Sequence, residues 1–115
     1  MSLPLRGWPR QVLAQLESLV DGAARHDGVY NFKIGRTNDI TVRECAYGRE
    51  YRPGPSRLVA IYETGSVDHA LMVEGELIAA FMAHPKCLNE ADHAGGNVSP
   101  DYVQYVYVAL WERST

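Results

Sequence analysis

The chain has 115 residues, 46% of them hydrophobic, 22% charged and 10% aromatic, which fits one compact domain and leaves no room for a second core. Ten glycines and six prolines are ordinary usage, and no apolar run reaches the 18 to 20 residues of a membrane span, so disordered, collagen-like and membrane-spanning classes are excluded. The formal net charge is −3, yet residues 33–57 hold six of the eleven basic side chains against three acids, a local excess of +3 that points to an anion-binding face.

Residues 1–27 open with a helix. Val12, Leu13, Leu16, Leu19 and Val20 recur at helical spacing after Pro9, a favoured first-turn residue. Val29 to Ile34 alternates as a short strand ending at Gly35, and Thr37, Asn38 and Asp39 supply capping chemistry for a short helix to about Tyr47. Gly48 to Ser56, with Pro53-Gly54-Pro55, reads as a basic loop, and Arg57 to Thr64 as a second strand. Gly65-Ser66 opens a helix from Val67 to about Ala83, stopped by Pro85. His84 to Pro100 reads as a loop with a helical turn at most. In residues 98–115, Tyr102 to Trp111 alternates as a third strand, with Val106, Val108 and Leu110 on one face and Tyr105, Tyr107 and Trp111 on the other. The expected fold class is therefore α/β in an α+β layering: a small, mainly antiparallel three-stranded sheet packed with three or more helices. The two thiols, Cys45 and Cys87, read as reduced and mostly buried, and Trp8, Phe32, Phe81 and Trp111 as core. His84, Cys87, Asp92 and His93 match no common zinc spacing, and His26 and His69 read as exposed. The N-terminus lacks a signal-peptide pattern, so the expected location is cytoplasmic.

Two helices carry charge where apolar residues belong. Val67, Ala70, Leu71, Leu77, Ile78 and Phe81 all fall within about 60° of Glu74 at 100° per residue, so a carboxylate sits on the core-facing stripe. Burial there requires a cation, hydrogen bonds or a metal ion as partner, and the bland alternative is an internal ion pair. In the shorter helix Ile40, Arg43, Glu44 and Tyr47 share one face, in competition with the apolar stripe of Val42, Cys45 and Ala46. Packing of these helices on the first strand would bring Lys33, Arg43 and Glu74 to one cleft.

Lys33-Ile34-Gly35-Arg36-Thr37-Asn38-Asp39-Ile40, with Arg43 and then Tyr47, resembles the second half of the GIY-YIG nuclease signature. Ala70-Leu71-Met72-Val73-Glu74 before Leu77-Ile78 resembles that family's helix bearing a metal-binding Glu, and Leu88-Asn89 with Gly95-Gly96 resembles its late Asn and Gly-Gly segment. The resemblance covers residues 28–97, with Lys33 where the family has its second Tyr. Gly28-Val29-Tyr30 looks like the first motif, but only two residues separate it from Lys33, too few for a hairpin. The resemblance then implies that the strand from Tyr102 to Trp111 is a relocated first strand, so that the fold is circularly permuted and Tyr107 supplies the first tyrosine, with Tyr30 as the alternative.

On this reading the activity is metal-dependent hydrolysis of nucleic-acid phosphodiesters, DNA before RNA. Glu74 would hold one Mg²⁺ or Mn²⁺, and Arg43 would stabilise the charged transition state. Tyr107 or Tyr30 would position or deprotonate water with Lys33, and Tyr47 and Asn89 would orient these groups. Arg36, Arg49, Arg52 and Arg57 form the expected phosphate track, and Tyr51 a platform for a splayed base. A homodimer or protein partner would aid targeting. The competing readings are a non-catalytic module of the same fold that binds nucleic acid or protein, and a structural protein in which Arg43 and Glu74 are a buried ion pair.

Overall fold

A computed structural model describes residues 2–90 and 102–113, and the element order is α1 (Pro9–Arg25), β1 (Val29–Thr37), α2 (Ile40–Glu50), β2 (Arg57–Thr64), α3 (Val67–Phe81) and β3 (Gln104–Glu112). The three strands form one sheet in the order β1-β3-β2, with β3 antiparallel to both neighbours. The last strand is thus the central one. Its residues are buried from Val106 to Trp111 because both faces are covered.

The alternation read from the sequence decides what covers each face. Val106, Val108 and Leu110 pack with Phe32 and Ile34 of β1 against Val12, Leu16, Val20 and Ala24 of α1 and Val73, Leu77 and Ile78 of α3. Tyr107, Ala109 and Trp111 point the other way, to a smaller cluster with Tyr47 of α2 and Leu58 of β2. Helices α1 and α3 therefore cover one face of the sheet and α2 the other.

Local chemistry fixes the helix starts. Pro9 occupies the first turn of α1. The Asp39 carboxylate accepts from the backbone N–H of Val42 at 3.1 Å, and the Ser66 hydroxyl from that of His69 at 3.1 Å, capping α2 and α3. The outer edges of the sheet are also covered. Leu5 pairs with β2 through Ile61 and Glu63, and Lys86 and Leu88 pair with both backbone groups of Phe32 on β1, which blunts the two edges against strand addition.

Several sequence expectations are corrected. Helix α2 runs to Glu50, so the basic loop starts a turn later than Gly48. Trp8 is not core: it is 62% exposed beside the N-terminus of α1, its ring 5.1 Å from that of His69, which is half-buried. Cys45 is exposed because α2 turns its Ile40-Arg43-Tyr47 face inward and leaves Val42 and Cys45 in solvent, and Cys87, in the segment beside β1, is half-buried. The polar stripe of α2 prevails because its residues find partners. Glu44 accepts the backbone N–H of Leu58 at 3.2 Å, and Tyr47 is fully enclosed. No helix among the described residues is long and apolar enough to cross a membrane. Asp92, His93, Gly95 and Gly96 lie outside the described residues.

Candidate functional site

Antiparallel register sets Tyr107 of β3 directly opposite Gly35 of β1. The phenol lies across the glycine, and a Cβ built at residue 35 would overlap its hydroxyl and ring carbons. Glycine is therefore needed here for close approach rather than for a turn. The pairing expected of the C-terminal strand with Phe32 and Lys33 is observed, with Phe32 opposite Leu110 and Lys33 opposite Ala109.

From that position the Tyr107 hydroxyl meets two residues of α2. The Tyr47 hydroxyl is 2.8 Å away, and Arg43 donates to Tyr107 from Nε at 3.3 Å. Arg43 and Tyr47 reach the same atom because they are one helical turn apart on one face. The Arg43 guanidinium lies 4.7 Å from the centre of the Tyr47 ring, and its outer nitrogens face Glu50 at 3.4 Å. Burial, then the neighbouring Tyr107, pushes the Tyr47 hydroxyl far above the ordinary tyrosine range, so Tyr47 keeps its proton and can donate it to Tyr107. Partial desolvation opposes the charge on Arg43. The hydrogen bond to Tyr107 and the nearby Tyr107, Tyr47 and Glu50 together outweigh it, and the guanidinium stays charged. One phenol oxygen thus faces one fixed cation and one neutral phenol.

Lys33 joins this face from β1. Its ammonium donates to the Tyr51 hydroxyl at 2.9 Å and lies 5.4 Å from the Tyr51 ring centre and 5.9 Å from that of Tyr47. Tyr51 is not a free platform for a base. It stacks on Tyr47 at 5.4 Å and meets Trp111 edge-on at 5.3 Å, because the extra turn of α2 carries it back over Tyr47, four residues earlier.

Glu74 lies on the other side of the sheet. Its stripe is buried as expected, and its carboxylate takes Nε of Arg36 at 3.3 Å, with the two side chains 6% and 3% exposed. Arg36 follows Phe32 and Ile34 at alternate positions of β1, which places it on the α3 face, whereas Lys33 and Gly35 face α2. The single cleft expected for Lys33, Arg43 and Glu74 is therefore two half-sites on opposite faces. They meet the strand at adjacent residues, Gly35 and Arg36, which are about 3.8 Å apart along the chain. Among the described residues no three His, Cys, Asp or Glu side chains cluster as a metal cage. A single hard carboxylate oxygen is nonetheless a fitting donor for Mg²⁺ or Mn²⁺, which keep water and take the remaining oxygens from phosphate. At Glu74 that fit requires Arg36 to give way.

Asn89 acts on backbone. Its amide nitrogen donates to the carbonyl of Ile34 and its oxygen accepts the Ile34 N–H, both at 2.9 Å, which clamps the free edge of β1 between Lys33 and Gly35. Asn89→Ala should lower stability by about 1–3 kcal/mol in urea unfolding and remove hydrogen-exchange protection from Ile34, since two backbone groups lose their partners. Tyr30 also faces α2, because a bulge between Val29 and Asn31 shifts the alternation, but it packs at the Trp111 end of the strand, about 16 Å from Gly35 at 3.3 Å per residue.

The expected phosphate track is shorter than the sequence implied. Arg49 and Arg52 are exposed beside the site. Arg57, 60% exposed, pairs with Glu112 at 3.1 Å, and Arg36 is enclosed. Strand alternation carried the signal for Arg36, since Phe32-x-Ile34-x-Arg36 reads as one face. The role of Glu50 as a second partner for Arg43 had no local signal. The chain matches no family model, no curated protein and no solved structure.

Proposed function

We propose that this chain is a metal-dependent phosphodiesterase acting on nucleic acid, DNA before RNA, of the GIY-YIG nuclease type with its first strand moved to the C-terminus. The observation that carries this reading is the Tyr107 hydroxyl, held over Gly35 by the central strand and bonded to Arg43 and Tyr47. Phosphodiester hydrolysis needs a positioned or deprotonated water and cationic donors at the non-bridging oxygens. Tyr107 is the group that takes or steers the water proton, because its hydroxyl is the one atom that both Arg43 and Tyr47 reach. The outer nitrogens of Arg43 are available to phosphate by exchange with the half-exposed Glu50. Lys33 and Tyr51 fix the ring stack behind Tyr47, and Asn89 fixes the strand. Glu74 would hold the Mg²⁺ or Mn²⁺ ion, which when bound neutralises phosphate charge.

Plasmid, single-stranded DNA and RNA incubated with Mg²⁺ or Mn²⁺ should be nicked or cut by the wild type. Arg43→Lys should lose most of that activity, because an ammonium cannot reproduce the planar fork. Binding should depend on salt through Arg49 and Arg52: neutralising both should lower the slope of log K against log salt by roughly two, while Arg6 and Arg10 change it little. Equal losses from both pairs would contradict a local track.

A second reading, a module that binds nucleic acid or a protein without cutting, is favoured by the Arg36 guanidinium on Glu74. It predicts salt-dependent binding with no cleavage under any divalent ion.

A further inference from the structure

Glu50 is the last residue of α2, where the negative end of the helix disfavours a carboxylate, and about half of its side chain lies in water. It faces the two outer nitrogens of Arg43, one carboxylate oxygen to each, at 3.4 Å. Both contacts are longer than the about 2.7–2.9 Å of a tight charge-assisted bond, so the hold is loose. A phosphate group offers a guanidinium the same pair of oxygens in the same two-pronged contact. The third nitrogen of Arg43, Nε, is committed to Tyr107 at 3.3 Å, and the Tyr47 ring lies against the guanidinium at 4.7 Å. The cation is thus fixed on the Tyr107 side, and its outer edge is held by an anion that has solvent beside it.

We propose that Glu50 stands where a phosphodiester binds and competes with it for Arg43. A nucleic-acid strand displaces the carboxylate into water, and Arg43 then bridges the bound phosphate and the Tyr107 hydroxyl. The inference rests on the reading of Arg43 as the phosphate-binding cation, and it needs neither a divalent ion nor cleavage. A tethered carboxylate acts at high effective concentration, so a single small anion competes poorly with it. A strand that also reaches the exposed Arg49 and Arg52 gains several contacts at once and prevails. Glu50 thereby selects strands over free anions, and it closes the guanidinium again when a strand leaves.

The test compares wild type with Glu50→Gln by fluorescence anisotropy of a labelled single-stranded oligonucleotide, in EDTA so that no divalent ion takes part. Glu50→Gln should bind about two- to fivefold more tightly, the worth of an exposed ion pair acting as competitor. Asp21→Asn removes the same charge from a comparably exposed pair with Arg25 on α1 and should leave affinity unchanged. In an Arg43→Gln background, adding Glu50→Gln should give no gain, because nothing is left to compete for. Equal binding by Glu50→Gln overturns the proposal, and weaker binding does so by showing that the carboxylate positions Arg43 instead. A gain matched by Asp21→Asn, or one that persists without Arg43, overturns it by reducing Glu50 to a share of the net charge. No binding by either protein removes the anion site itself. Plasmid cleavage is scored separately with Mg²⁺. The gain without cleavage sustains the competition and removes the nuclease, whereas cleavage without the gain removes the competition and leaves the nuclease standing.

Discussion

Arg36→Met should lower the unfolding free energy by about 3–5 kcal/mol, among the largest losses expected of any side chain in this protein, because it leaves the Glu74 carboxylate enclosed beside an apolar neighbour. Urea unfolding followed by circular dichroism measures it directly. Arg36→Met combined with Glu74→Leu should recover most of the loss, since two apolar residues of similar volume suit the stripe between Ala70, Val73, Leu77 and Ile78. Arg57→Met supplies the comparison. Its partner Glu112 is also an ion-pair acceptor at 3.1 Å, but in solvent, so the expected cost is about 0–1 kcal/mol. Arg36→Met costing no more than Arg57→Met would mean that the pair is open to water. A carboxylate on the stripe could be replaced by Ala at little cost if nothing leaned on it, but Glu74→Ala removes an acceptor of the enclosed Arg36 guanidinium, and loss of activity in that variant must be read beside its stability.

What the sequence made legible was periodic or local. The strand from Arg57 to Thr64, the Asp39 and Ser66 caps and the two faces of Tyr102 to Trp111 follow from alternation and capping chemistry within a few residues. The pairing of β3 with β1 followed from needing a tyrosine beside Lys33, but its central place, with β2 on the other side, did not. Partnership across long separations was not legible. Glu74 announced that it needed a cation, but Arg36 lies 38 residues earlier, and Arg43 looked the better match until strand alternation put them on opposite faces. Pro53-Gly54-Pro55 suggests a chain unwound from Gly48 with Tyr51 exposed on the loop. The helix instead continues to Glu50 and lays Tyr51 on Tyr47. The bulge after Val29 leaves no mark in residue types, yet it turns Tyr30 to the same face as Tyr107. Face alone therefore does not separate the two tyrosines. Position along the strand does.

On the proposed nuclease reading, Tyr107→Phe should reduce cleavage by about 10²–10³-fold, the usual consequence of removing one preorganised polar group from a transition-state site. The phenylalanine ring keeps the contacts with Tyr47 and Gly35 but leaves Arg43 Nε–H and the Tyr47 hydroxyl aimed at nothing, which should lower stability by only about 1–3 kcal/mol. Activity and stability should part company in this variant. Tyr30→Phe should change neither, because Tyr30 packs at the opposite end of β1. Gly35→Ala tests the same oxygen from the backbone side. Its methyl group would occupy the place of the Tyr107 hydroxyl, so the ring must move away from Arg43 and Tyr47, and cleavage should fall at least as far as in Tyr107→Phe with an added packing loss of about 1–3 kcal/mol. The double variant Gly35→Ala with Tyr107→Phe should keep the packing loss of Gly35→Ala, since the methyl group overlaps ring carbons of residue 107 as well as its hydroxyl. Full cleavage by Tyr107→Phe, measured at saturating Mg²⁺ against the wild type, would take Tyr107 out of the chemistry and leave the aromatic cluster on the α2 face as packing around a bound strand.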